Sequence, residues 1–184
     1  MEVANKRVAA AQQTRAKLIE TGLVLAEELG LEGLSVNAVV ASAGVSKGTF
    51  FHHFPDRVSY LVALHRRFHD VLFDEVMSVI AEMAPGKDRL TAVAATYLDA
   101  CLRDRGVKAL LLEARGHLPI ADEVMRRNRM NVDVVAADFE ALGARHPRAS
   151  ARLWIAATAE CALMELELGR RDSAARSALG ALVR

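Results

Sequence analysis

Apolar positions recur at three- and four-residue spacings from the first turns of this chain onward, which is the period of helices with one buried face. Leu18, Gly22, Leu25, Ala26 and Leu29 share one such face, with Arg15, Lys17, Glu20, Glu27 and Glu28 largely off it. Thr14 is the expected N-cap of this first helix and Gly30 its expected stop. After a connector at residues 31–34, Ser35 caps a second helix running to about Ser42. Ala43-Gly44-Val45 then forms a tight turn, and Ser46 caps a very short third helix ending near His53. Phe54-Pro55-Asp56 breaks the pattern, and Asp56 caps a long fourth helix. Its stripe runs through Val58, Leu61, Val62, His65, Phe68, Leu72, Val76, Val79 and Met83, about 40 Å at 1.5 Å per residue, and Pro85-Gly86 ends it. Further helical blocks are expected at residues 87 to about 104, 107–116, 119 to about 143, 147–169, and from Asp172 on. No segment alternates with the period of a strand, and no repeat is evident.

Composition sharpens this picture. Of 184 residues, 52% are hydrophobic but only 5% aromatic, with Ala and Leu recurring, a balance that suits close-packed helices. The formal net charge is +1, so a nucleic-acid partner has to be recognised by a local patch rather than by bulk charge. Cys101 and Cys161 are too few for a disulfide scaffold and read as reduced, buried residues. The start has basic residues but no apolar core of a leader, and the longest near-apolar stretch, residues 153–164, carries Glu160 and falls short of the ~20 residues of a membrane span. These features lead to the expectation of a soluble cytoplasmic protein with no membrane partner. Short helices with tight turns give way to long helices near residue 56. The expected domains are therefore residues 1–56 and 57–184.

The informative stretch is SVNAVVASAGVSKGTFFHHFPDR, residues 35–57. Two short helices joined by a Gly-containing turn form a helix-turn-helix, whose second helix enters the major groove of DNA. Val39, Val40 and Ala43 are expected to face inward, with Val45 and Phe50 holding the second helix against the first. Residues 35–54 contain no carboxylate, although the chain has 23, as a phosphate-facing surface requires. Ser35 and Ser46 each open a helix and bring hydroxyls and first-turn amides to that surface. Lys47 can reach a guanine edge or a phosphate, Gly48 lets backbone approach closely, and Thr49 shares the same turn. Asn37, His52, His53 and Arg57 extend the donor surface.

Residues 14 to about 64 resemble the N-terminal domain of TetR/AcrR-family transcriptional regulators. The pieces that carry the likeness are Gly33-Leu34-Ser35-Val36, Ala43-Gly44-Val45-Ser46-Lys47-Gly48-Thr49 and Phe51-His52-His53-Phe54-Pro55-Asp56-Arg57. The resemblance implies an all-α homodimer of about nine helices: a three-helix DNA-binding domain followed by a helical bundle that binds an effector and dimerises through its last two helices. It implies a bacterial regulator without catalytic activity or cofactor, most simply a repressor that leaves a palindromic operator when a small molecule binds. By position, Ser35, Thr49, His53 and Arg57 would contact phosphates, and Asn37, Lys47, Gly48 and His52 base edges. Phe51 departs from the family pattern, where a tyrosine usually bonds a phosphate.

Other signals point elsewhere. Gly44-Val45-Ser46-Lys47-Gly48 spells the nucleophile elbow of hydrolases, but that elbow follows a strand and none is expected here. His65 and His69, or His117 with Glu113, have helical metal-ligand spacing, so a metal-binding or enzymatic bundle is the alternative reading. Arg126, Arg127 and Arg129 read as a solvated charge run. Trp154, Ala157, Cys161, Met164 and Leu168 form a stripe shared between core and dimer seam. Tyr97, Cys101, Leu111, His117, Met125, Phe139 and Trp154 are the candidates for an apolar effector pocket.

Overall fold

The computed structural model describes residues 2–104 and 118–183. Among them are eight α-helices and no strand: α1 Glu2–Gly33, α2 Val36–Ala43, α3 Lys47–His53, α4 Arg57–Ile80, α5 Lys87–Arg103, α6 Leu118–Ala141, α7 Pro147–Leu168 and α8 Ser173–Ala181. The all-helical expectation holds, and the block expected at residues 107–116 lies outside the described residues. The described chain falls into two compact units, residues 2–68 with 118–121 and residues 69–104 with 122–183.

In the first unit, α1 begins well before Thr14, which caps nothing. Its hydroxyl instead donates to the Ala10 carbonyl at 3.0 Å, the back-bonding of a residue inside a helix. Gly30 does interrupt α1, with φ of 65° in the left-handed region where a Cβ is unfavourable. The buried line runs Leu18, Ile19, Gly22 and Ala26, so Leu29, which is exposed, drops off the predicted face.

Gly22 sits where α1 meets α4. A Cβ there would lie 1.9 Å from the Tyr60 hydroxyl oxygen. Tyr60 cannot yield. It is buried between Phe50 and Phe54, with ring centroids 5.0 and 4.9 Å away, and its hydroxyl donates to the Leu18 carbonyl at 2.7 Å. Burial pushes that hydroxyl's pKa upward, so it stays a donor. Ala has the better helix propensity by about 1 kcal/mol, but overpacking costs about 1–3 kcal/mol and can break the buried hydrogen bond as well. Gly22→Ala is therefore expected to lower stability by about 1–2 kcal/mol, read as a reduced urea midpoint at unchanged slope. An unchanged or higher midpoint would show that Tyr60 moves freely.

The second unit follows the predicted boundaries closely. Gly169 ends α7 in the left-handed conformation, and the Asp172 carboxylate caps α8 by accepting from the amides of Ala174 and Ala175 at 2.9 and 3.0 Å. The α4 helix ends at Ile80, short of the expected Pro85-Gly86, so Met83 of the predicted stripe lies beyond it; within the helix Ile80 is buried and Val79 exposed, the fourth residue after Val76 rather than the third facing inward. Asp138, fully buried, accepts from the Gly86 amide at 2.8 Å and from Arg89 Nε and Nη2 at 2.7 and 2.8 Å, tying α5 to α6. Glu165 is likewise buried and takes both Nε and Nη2 of Arg176, at 2.6 and 2.8 Å, which fastens α8 to α7. Arg127 is not on a solvated face. It is 6% exposed and pairs with Glu123, one turn before it, and with Asp70 of α4. Cys101 and Cys161 are buried and neither forms a disulfide.

Candidate nucleic-acid interface

Local chemistry builds the helix-turn-helix in the predicted register. Ser35 Oγ accepts from the Ala38 amide at 3.1 Å and so starts α2. Gly44, at φ 65°, ends it, and the Val45 amide returns to the Val40 carbonyl at 3.0 Å. Ser46 Oγ accepts from the Thr49 amide at 3.0 Å and lies 2.9 Å from Thr49 Oγ1, which starts α3. Val39, Val40, Ala43, Phe50 and Phe54 are buried, so α3 is held by its inward ring face. The Asp56 carboxylate accepts from the Ser59 amide at 2.6 Å to start α4, and this bond holds its pKa below the usual range.

That packing fixes what points outward. Ser35, Asn37, Ser46, Lys47, Gly48, Phe51, His52 and Arg57 are exposed, while Thr49 and His53 are half-buried. The ten predicted residues thus belong to one helix-turn-helix and its α4 junction, with no carboxylate before Asp56. Gly48 has no internal reason to be glycine, because a Cβ there would meet only Ser46 Oγ at 3.6 Å. His52 and His53 meet edge to face with centroids 5.2 Å apart. Burial, with the charges of His52 and Arg15, holds the His53 imidazole below its ordinary pKa of 6.5. Arg57 is exposed and donates to the Leu34 carbonyl at 3.5 Å. Phe51 leaves about half its ring, 49%, open to solvent, and its edge rests on Phe50.

Arg15 was missed as part of this neighbourhood. Its guanidinium lies 4.9 Å over the Phe54 ring, a cation–π contact beside the end of α3. The signal was present in the spacing, since Arg15, Leu18 and Gly22 follow one another at three and four residues.

The effector candidates are more scattered. Phe139 of α6 and Trp154 of α7 meet edge to face at 6.3 Å and line an open cleft of about 450 Å³ with Leu142, Leu153, Leu182 and Val183. Tyr97 is half-buried and Cys101 buried on α5, while Met125 is 51% exposed and absent from that lining. Leu111, Glu113 and His117 lie outside the described residues. His65 is buried and His69 half-buried, and among the described residues no three His, Cys, Asp or Glu side chains are grouped to hold a metal ion. Nor, among them, is any helix long and apolar enough to cross a membrane.

A carboxylate-free recognition helix locked on an aromatic core defines a helix-turn-helix protein. Comparison with known proteins narrows the class. Residues 18–64 match the profile described as "Bacterial regulatory proteins, tetR family". The chain is 24% identical over 119 residues to the HTH-type transcriptional repressor KstR2 of Rhodococcus jostii (strain RHA1), covering 65% of this chain and 58% of that one. It spans about half the length of the curated relatives it matches. A crystal structure of a transcriptional regulator from Rhodococcus sp. RHA1 shares the fold with a TM-score of 0.77 at 24% identity, over 91% of this chain and 92% of that chain. The multidrug binding protein EbrR, crystallised with imidazole, superposes with a TM-score of 0.71 at 25% identity, over 92% and 94% of the two chains. Residues 18–64 are therefore similar to the tetR family's regulatory proteins, and the fold is shared with these solved structures over most of the chain.

Proposed function

We propose that this protein is a sequence-specific, ligand-responsive transcriptional repressor that acts as a homodimer on a palindromic operator in the bacterial cytoplasm, without a catalytic step. Residues 1–56 form its reading head and residues 57–184 its effector-binding and dimerisation part. Each α3 enters one major groove, with half-sites about one helical turn apart. Ser35, Thr49, His53 and Arg57 hold phosphates; Asn37, Lys47, Gly48 and His52 face base edges; Ser46 sets the start of α3. Phe51 offers no hydroxyl to a phosphate, which forgoes about 1.5–3 kcal/mol at most.

The observation that carries this reading is the pairing of an inward aromatic face, Phe50 and Phe54, with an outward face of donors and no acid. KstR2's description as a repressor and the ligand in the EbrR crystal support the repressor and effector parts of it. Of the seven candidates, Phe139 and Trp154 line a common cleft and are assigned here as the effector contacts. Effector binding is transmitted through α4, a single helix from Arg57 to Ile80, and changes the spacing of the two reading heads. Such coupling is typically about 1–3 kcal/mol.

Lys47→Ala tests the reading head. Lys47 is exposed, so the fold is kept, and loss of a charged base or phosphate contact in each half-site is expected to weaken operator binding by about 10–100-fold. Fluorescence anisotropy with a labelled operator duplex measures it. Unaltered affinity, with helix content unchanged, would remove α3 from the interface.

A further inference from the structure

We propose that His53 takes up a proton when α3 meets DNA, so that acid tightens this protein's hold on its operator. The inference rests on the DNA-binding reading above, in which His53 holds a phosphate, and adds the proton as a second ligand. His52 and His53 are adjacent imidazoles in the last turn of α3, with ring centroids 5.2 Å apart. His52 is exposed and His53 half-buried, and both belong to the stretch, residues 35–54, that holds no carboxylate.

The groups around His53 offer its imidazolium no anion. From α1, Arg15 lies 4.9 Å over the Phe54 ring, beside the end of α3. On α3 the neighbour is His52, and α2 carries no titratable side chain. At the start of α4, Asp56 is engaged by the Ser59 amide and Arg57 donates to the Leu34 carbonyl, while Tyr60, buried against Phe54, stays uncharged. Burial first, then the charges of His52 and Arg15, therefore hold the His53 imidazole below its ordinary 6.5, and in the free chain it is neutral at neutral pH. A phosphate against the same ring reverses that balance, because it accepts a charge-assisted hydrogen bond from the imidazolium. The complex then holds the proton more tightly than the free chain does. By linkage, affinity rises as pH falls between the two pKa values and levels off below both. Two imidazolium rings this close repel each other. His53, on the phosphate, takes the proton, and His52 stays neutral with one donor and one acceptor for a base edge.

The test uses the full chain and an operator recovered by selection, with affinity read by fluorescence anisotropy from about pH 8 to 5.5 at constant ionic strength. A rise of about one pKa unit at His53 on binding is worth about tenfold per site, so with two subunits the wild type is expected to bind about 10–100-fold more tightly at the acid end. His53→Gln, which keeps a neutral donor, should lose most of this dependence, and His52→Gln should keep it. Salt gives a second readout. Two added cations steepen the slope of log K against log salt by about 1.8 from the alkaline to the acid end in the wild type, and His53→Gln removes that change. Nuclear magnetic resonance titration of the wild-type His53 ring should give a higher pKa in the complex than in the free chain, and is read whether or not the variant binds. A His53 titration that is unshifted or lowered in the complex, or a His53→Gln chain with the wild-type pH dependence, overturns the inference and leaves the reading head standing. Loss of the dependence in His52→Gln alone overturns it in favour of protonation at the base edge. Wild-type protein that retains no duplex at any pH overturns the DNA reading itself, and the inference with it.

Discussion

Asp138→Ala is expected to destabilise the protein by about 3–5 kcal/mol, the range for removing one partner of a buried ion pair. Asp138 is fully buried and gathers three donors: the Gly86 amide and two nitrogens of Arg89. Arg89's side chain is itself only 13% exposed, so the substitution strands a guanidinium that cannot turn fully to water. One of its bonds survives, from Nη2 to the Val134 carbonyl at 2.8 Å, and does not neutralise the charge. The Gly86 amide at the start of α5 loses its acceptor too. Asp138→Asn keeps the shape and part of the bonding and should cost less than Asp138→Ala. Chemical denaturation distinguishes the two. An alanine variant within about 1 kcal/mol of wild type would mean that this ion pair only offsets its own desolvation.

The second large effect is on operator binding. Raising salt from 50 to 200 mM is expected to weaken it on the order of tenfold. Arg57 in each of two subunits gives two neutralised phosphates, hence a slope of about −1.8 in log K against log salt. The hydroxyls of Ser35 and Thr49 add orientation without releasing counterions, so they leave the slope alone. A flat salt dependence would contradict a phosphate-facing surface, whatever the affinity.

Short-range chemistry was the part legible in the sequence. Ser35, Ser46, Asp56 and Asp172 were recognisable as caps because each bond spans two or three residues, and Gly44 and Gly169 as stops because they need a left-handed backbone. The ten residues of the candidate interface share one exposed neighbourhood for the same reason: the spacing of Val39, Val40, Phe50 and Phe54 determines which side is left over. Thr14 misled because a threonine hydroxyl serves equally well to cap a helix or to bond back within one, and only the helical residues before it decide.

What spacing could not show was pairing over distance. Arg127 looks like its exposed neighbour Arg129 until α4 supplies Asp70, 57 residues earlier. Arg89 and Asp138 are 49 residues apart, and nothing local marks either as buried. Effector candidates suffered similarly. Phe139 and Trp154 converge on one cleft, whereas Met125, equally apolar, is half in solvent on the same helix as Phe139.

The most direct test of the DNA-binding account is to incubate the purified full-length protein with a random duplex library and sequence what it retains over successive rounds. The expected result is enrichment of an inverted repeat with half-sites about one helical turn apart, and loss of that enrichment in Lys47→Ala. Recovery of the library unenriched, from protein that is folded and dimeric, would contradict it.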